Sequence, residues 1–204
     1  MLSIHIQKQL THFELDVQFN VDNEIAVLFG PSGSGKTTIL NCVAGLSKAD
    51  QGIIRLKERT LFEDGKVNIP TQKRHIGYMF QHYALFPHMT VWKNIVYGMK
   101  KERFVKELME ELGIAHLCNQ YPHEISGGEK QRVALTRALA TEPKVLLLDE
   151  PFSALDEQTR LKSHDQLTRI QKLWNIPILL VTHHKEEAEK LGDRIFYMQE
   201  GRFV

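Results

Sequence analysis

GPSGSGKTT, residues 30–38, lies between the apolar run EIAVLF and the helical-looking ILNCVAGL. It fits G-x-x-x-x-G-K-[ST], with Gly30, Gly35, Lys36 and Thr37 at the fixed positions. Glycines leave successive backbone N–H groups free to turn inward around phosphate oxygens. The helix that follows aims its positive dipole end at the same anion. Lys36 can reach the β- and γ-phosphates, and the Thr37 hydroxyl can serve a magnesium ion. A strand before the loop and a helix after it separate this pattern from a glycine-rich turn that matches by accident. The loop alone says that a nucleoside triphosphate binds.

The rest of the chain frames that loop. SIHI and FELDVQF alternate apolar and polar residues and read as two half-exposed strands. GIIRLKERTLF reads as a hairpin with KER at its turn, EDGKVNIP as a polar loop, and HIGYMFQ as a strand ending at Gln81. From His82 to about Tyr121 the periodicity turns helical, with Phe104, Leu108 and Leu112 at four-residue steps. KVLLLDEP and IPILLVTH read as buried parallel strands, because their apolar runs do not alternate. The alternation predicts an α/β fold of one domain, residues 1–204. Its parallel-sheet core and N-terminal antiparallel β part span about 1–81 and 143–204, and an inserted helical part spans about 82–142.

Charge and composition narrow the function. A net charge of +1 argues against a dedicated nucleic-acid surface. The two cysteines, Cys42 and Cys118, form no metal-spaced pair and fit a reducing compartment. The N-terminus has no basic segment followed by an apolar core, and VLLL and IPILLV are too short to span a bilayer. Work at a membrane would therefore need other chains to cross it.

Several strand ends carry chemistry. Asp149 and Glu150 follow VLLL, at the carboxyl edge where ligands of parallel sheets sit. Asp149 supplies a second oxygen for magnesium, and Glu150 can polarise a water in line with the γ-phosphate. A plain acidic helix cap is the competing reading. Gln81 can offer an amide to the ion or the water. His183, ending IPILLV, can donate to the γ-phosphate, and strand alternation turns His184 away from it. In ISGGE, Ser126 and Glu129 form a capping box, while Gly127 and Gly128 leave a helix N-terminus open to a second anion.

Gln81, ISGGEKQRVALTRAL, VLLLDEP, SALD and TH, in this order after GPSGSGKTT, resemble the ATP-binding cassette (ABC) ATPases over essentially the whole chain. The resemblance implies a P-loop NTPase (RecA-like) core. It makes Gly30, Pro31, Ser32, Gly33, Ser34, Gly35, Lys36, Thr37 and Thr38 the ATP-binding Walker A loop. Gln81 becomes the Q-loop, Ser126, Gly127, Gly128 and Glu129 the signature motif, and Asp149 with Glu150 the end of Walker B. Ser153, Ala154, Leu155 and Asp156 become the D-loop, and His183 the switch histidine. Phe13, with His12 or a shifted register as the alternatives, becomes the aromatic that stacks on the base, and a core Phe on an alternating strand is the competing reading. Thr37, Gln81 and Asp149 would serve Mg²⁺, and Glu150, Gln81 and His183 catalysis. The usual signature is LSGGQ, so Ile125 and Glu129 depart from it at the ends.

In that family two cassettes pair head to tail, each ATP lying between one Walker A loop and the other's signature helix. A second copy of this chain is thus expected, together with transmembrane permease subunits and, indirectly, a solute-binding protein. No nucleic acid is expected, and the place is the cytoplasmic face of the membrane. GYMFQHYALFPHMTVWKNI resembles the stretch of importer cassettes that receives a permease helix, with Phe86, Met89, Val91 and Trp92 as an exposed groove. SGGEKQRVA and RHIGYMFQHYALFPH resemble the molybdate-type oxyanion importers. Those carry a regulatory domain after the core. This sequence ends at Val204, so substrate feedback on the subunit is not expected. The alternative is a soluble cassette acting on nucleic acid or ribosomes, but neither a long coiled-coil interruption nor a second cassette is visible in these residues.

Overall fold

A computed structural model describes all residues 1–204. Alternation builds the first sheet. β1 (Leu2–Gln9) and β2 (Glu14–Val21) pair antiparallel and bury Leu2, Ile4 and Ile6 with Leu15, Val17, Phe19 and Val21. β4 (Gln51–Leu56), β5 (Arg59–Glu63) and β6 (Val67–Asn68) complete the order β2-β1-β4-β5-β6. EDGKVNIP, expected as loop throughout, thus contains a two-residue strand, because Val67 and Asn68 satisfy the free edge of β5.

The second sheet has the order β11-β10-β3-β9-β8-β7. Its strands are β3 (Ile25–Phe29), β7 (Ile76–Met79), β8 (Val145–Asp149), β9 (Ile178–Thr182), β10 (Arg194–Gln199) and β11 (Arg202–Phe203). All neighbours pair parallel except β10 with β11. Its strands are apolar on both sides because two cores share them. Ala26, Leu28, Val145, Leu147, Leu179 and Val181 face α1 (Lys36–Ala44) and the antiparallel sheet. The residues between them, Val27, Leu146, Leu148 and Leu180, face the other way. That second core takes in α2 (Val91–Val96), α3 (Glu102–Glu111), α4 (Gly127–Leu139), α5 (Glu157–Trp174) and α6 (Lys185–Leu191). The segment between β7 and β8 contains helices and turns only. The fold is α/β.

Two braces position the phosphate loop. Arg74 is buried and caps the C-terminal end of α1, donating to the carbonyls of Cys42 and Val43 at 2.8 and 2.9 Å. It also donates to Ile69 O at 2.7 Å and Asn68 Oδ1 at 2.8 Å. The β10–β11 turn clamps the loop from the other side, where Gly201 N donates to Ser34 O at 3.1 Å. A Cβ on Gly30 would fall 2.2 Å from Met198 O, so only glycine allows this approach.

Some boundaries move. The strand HIGYMFQ stops at Met79, leaving Gln81 in the turn beyond it. α1 ends at Ala44 with Gly45 in the left-handed region, so Leu46 is exposed instead of completing the helix stripe.

Candidate functional site

Gly33 and Gly35 take positive φ, 81° and 103°, and Gly35 caps α1. The loop they shape opens on a cavity of about 250 Å³ lined by Ser32, Gly33, Gly35, Lys36, Thr37, Thr38, Gln81, Glu150 and Leu10. Leu10 was not expected; an isolated apolar residue at a strand end carries no sequence signal. The buried Lys36 ammonium donates to Gly30 O at 2.8 Å, Pro31 O at 2.7 Å and Ser34 Oγ at 3.3 Å, which uses its three protons to knit the loop. Burial lowers its pKa, and the charges of Glu150 and Asp149 oppose that shift.

Behind the loop, Thr37 Oγ1 donates to Asp149 Oδ1 at 3.0 Å, joining the first turn of α1 to the end of β8. Asp149 is buried, and burial raises its pKa against the Thr37 hydrogen bond. Glu150 comes next at φ 45°, a left-handed conformation rare for this residue type. The bond from Glu150 N to Val181 O at 3.0 Å and those to Glu150 O from Ser153 N at 3.2 Å and Ser153 Oγ at 3.0 Å hold it there.

The Glu150 carboxylate gathers Gln81 and His183, which stand just past the ends of β7 and β9. Gln81 Nε2 donates to Oε2 at 3.0 Å, and His183 Nδ1 lies 3.1 Å from Oε1. His183 also lines a second, polar cavity of about 370 Å³ with His164 and His184. The expectation that His184 points away is corrected: the two rings lie 4.2 Å apart, tilted by 36°. β9 stops at Thr182, so strand alternation no longer applies at positions 183 and 184. Phe13 stands in the turn before β2, half-buried. Its Cε2 is 3.6 Å from where a Gly35 Cβ would sit, at the edge of the loop; His12 is exposed.

Ser126 to Glu129 are not part of that cavity. Ser126 caps α4, accepting from Glu129 N at 3.3 Å, while its N and Oγ donate to Glu129 Oε2 at 2.8 and 2.7 Å. Those bonds lower the Glu129 pKa. Gly127 and Gly128 follow, half-buried, with the turn Ser153 to Asp156 beside them: a Gly127 Cβ would lie 3.4 Å from Ala154 O. Ser153 and Ala154 are exposed and Leu155 is buried, while Asp156 caps α5 by accepting from Thr159 N at 3.0 Å.

The groove expected from Phe86, Met89, Val91 and Trp92 is only partly there. Val91 is fully buried at the start of α2, and Trp92 lines a different cavity with Cys118. The observed groove, about 350 Å³, joins Phe86 to Tyr78, Phe80, Tyr97 and Arg137. Burying Val91 lets α2 pack on α4, and that leaves the rings of Phe80 and Tyr97 at the surface.

A family model described as ABC transporter matches residues 14–153. The chain belongs to the ABC transporter family. As a member it is an ATP-binding cassette and an ATPase. A molybdate/tungstate import ATP-binding protein, WtpC, of Archaeoglobus fulgidus is 42% identical over 209 residues, covering 100% of this chain and 85% of that protein. The molybdenum import ATP-binding protein ModC of Haemophilus influenzae is 46% identical over 205 residues, covering 98% of this chain but 58% of its own length. The chain thus spans under two thirds of some curated relatives. Among solved structures, the dimeric ABC transporter cassette MJ0796 superposes with a TM-score of 0.82 at 28% identity, covering 100% and 96% of the two chains. The same cassette in a post-hydrolysis state with ADP and Pi gives 0.81 at 29%, with the same coverage.

Proposed function

We propose that this cassette is the ATP-hydrolysing subunit of a membrane importer, working as a pair of identical chains on the cytoplasmic face beneath permease subunits. The observation that carries the reading is the Glu150 carboxylate at the rim of the phosphate cavity, held by Gln81 and His183. Fixed from two sides, it can accept a proton from a water aligned with the γ-phosphate. Lys36 would trade its bonds to the loop oxygens for the phosphate and offset its charge, the loop N–H groups would donate to it, and His183 is free to trade Glu150 for the γ-phosphate when nucleotide arrives.

Magnesium fits the residues present. Thr37 Oγ1 and Asp149 Oδ1, two oxygen donors of the kind this hard ion takes, meet behind the phosphate loop. Those two would hold the ion, with Gln81 beside it. When bound, the ion neutralises charge on the β- and γ-phosphates.

Ser126 and its glycines lie outside this chain's own phosphate cavity, so a second copy must bring them to the nucleotide. Phe13 at the loop edge would carry the base. The dimeric relatives support this arrangement. The groove of Phe80, Phe86 and Tyr97 would take an apolar helix from the permease, and closure of the pair would move that helix. The relatives' names point to molybdate or a related oxyanion as cargo, although a 39%-identical relative in Haemophilus influenzae is named for Fe(3+) import. An extracytoplasmic solute-binding protein would deliver it.

Glu150→Gln tests the assignment. It should keep ATP binding, accumulate dimers on gel filtration with ATP, and lower turnover by at least about 100-fold, the scale of a lost general base. Turnover like the parent's rules Glu150 out as the base.

A further inference from the structure

We propose that Tyr78 is a positioning residue that ties the apolar groove to Asp149, so that what happens at one is felt at the other. This rests on the reading of the groove and the magnesium pair given above. Tyr78 lies on β7, opposite Leu147 of β8 and two residues short of Asp149 on that strand. Leu147 and Asp149 share a face of the sheet, the one turned toward α1.

On that face the phenol hydroxyl donates to Asn41 Oδ1 at 3.1 Å. Asn41 is one helical turn beyond Thr37, so the two stand one above the other on α1. Thr37 meets Asp149 and Asn41 meets Tyr78.

The other end of the same side chain belongs to the groove. The Tyr78 ring stacks on Phe80, centroids 4.2 Å apart and planes 19° apart, and both line the groove with Phe86 and Tyr97. Phe80 is exposed, so an incoming apolar helix presses on the ring that backs onto Tyr78. A rigid aromatic with two torsions transmits that push to its hydroxyl with little slack. Gln81, the residue after Phe80, reaches Glu150, so one short segment touches Glu150 and, through Asn41, the helix face that carries Thr37.

The test labels the purified chain with 3-fluorotyrosine and follows Tyr97 by ¹⁹F NMR, with its signal assigned by Tyr97→Phe. Mg²⁺ and ADP are the added ligands, so no second copy is needed to close the site. In the parent, Mg²⁺ with ADP should shift the Tyr97 signal, which senses the Phe86 ring at 5.0 Å. In Tyr78→Phe that shift should fall by at least half. Metal-free ADP affinity should change less than twofold, while the Mg²⁺ needed for tight ADP binding rises about tenfold, the scale of a lost partner to a metal-binding group. Phe80→Leu keeps the hydroxyl and should lose the Tyr97 shift while keeping the parent's Mg²⁺ dependence.

An unmoved Tyr97 in a parent chain that binds Mg²⁺–ADP overturns the proposal, as does an unchanged shift and Mg²⁺ dependence in Tyr78→Phe. A parent chain that binds no ADP at all sinks the nucleotide reading itself, and the proposal with it.

Discussion

His164 is buried on α5 with both ring nitrogens unpaired by protein groups, and its ring meets the Phe152 edge at 4.6 Å. Burial, then the charges of Lys190 and Arg160, lower its pKa from 6.5 to about 4. Between those values the unfolded chain takes up a proton that the folded one refuses. Stability is therefore full above about pH 6.5 and is lost as pH falls toward 4. His164→Leu fills the space without the polar atoms. It should flatten the pH dependence of the melting temperature in this window and raise the melting temperature at pH 5. A pH profile as steep as the parent's would place the titration elsewhere. Single residues of the phosphate loop were legible because each has one chemical job at a set spacing. His164, Arg74 and Leu10 were not, because burial and partners decide what they do.

At the scale of elements, Gly128 lets the first turn of α5 come close to the first turn of α4. A Cβ there would lie 2.6 Å from Thr159 Cγ2. Gly128→Ala gains helix propensity but overpacks this crossing, for a net loss of about 1–2 kcal/mol by urea denaturation. Thr159→Ala removes Cγ2 and leaves the backbone N–H that donates to Asp156, so the double variant should recover the loss. Absence of coupling between the two positions would refute the contact. In ISGGE the capping residues could be read from spacing, since Ser126 and Glu129 bond within four residues of one another. That Gly128 also admits α5 could not, because Thr159 is far along the chain.

For the whole molecule, the groove is the exposed apolar feature that the fold assembles from β7, the turn after it, α2 and α4. Arg137 of α4 shapes it, donating to Tyr83 O at 2.7 Å and Ala84 O at 2.8 Å and lying 5.5 Å from the centroid of the Phe86 ring. Tyr97 is 69% exposed, so it can be changed at little cost to the core. Tyr97→Glu should abolish co-purification with a permease subunit while leaving ATP hydrolysis by the isolated chain within about twofold, as expected for a surface change remote from the phosphate cavity. Undiminished co-purification would move the docking surface elsewhere. Phe86 was visible in the sequence as part of this surface. Val91 and Trp92 were misplaced because the resemblance to importer cassettes locates the stretch without saying which of its apolar side chains the core takes up.

The sequence by itself determined the phosphate loop, the strand-end acids and the order of strands and helices, because these follow from short-range spacing and chain periodicity. Only the tertiary structure decided that Gln81 and His183 converge on Glu150, that the C-terminal hairpin clamps the loop, and that His183 and His184 lie together. Such meetings depend on where separate strands end side by side, and parallel pairing sets that across separations too long for any local pattern to carry.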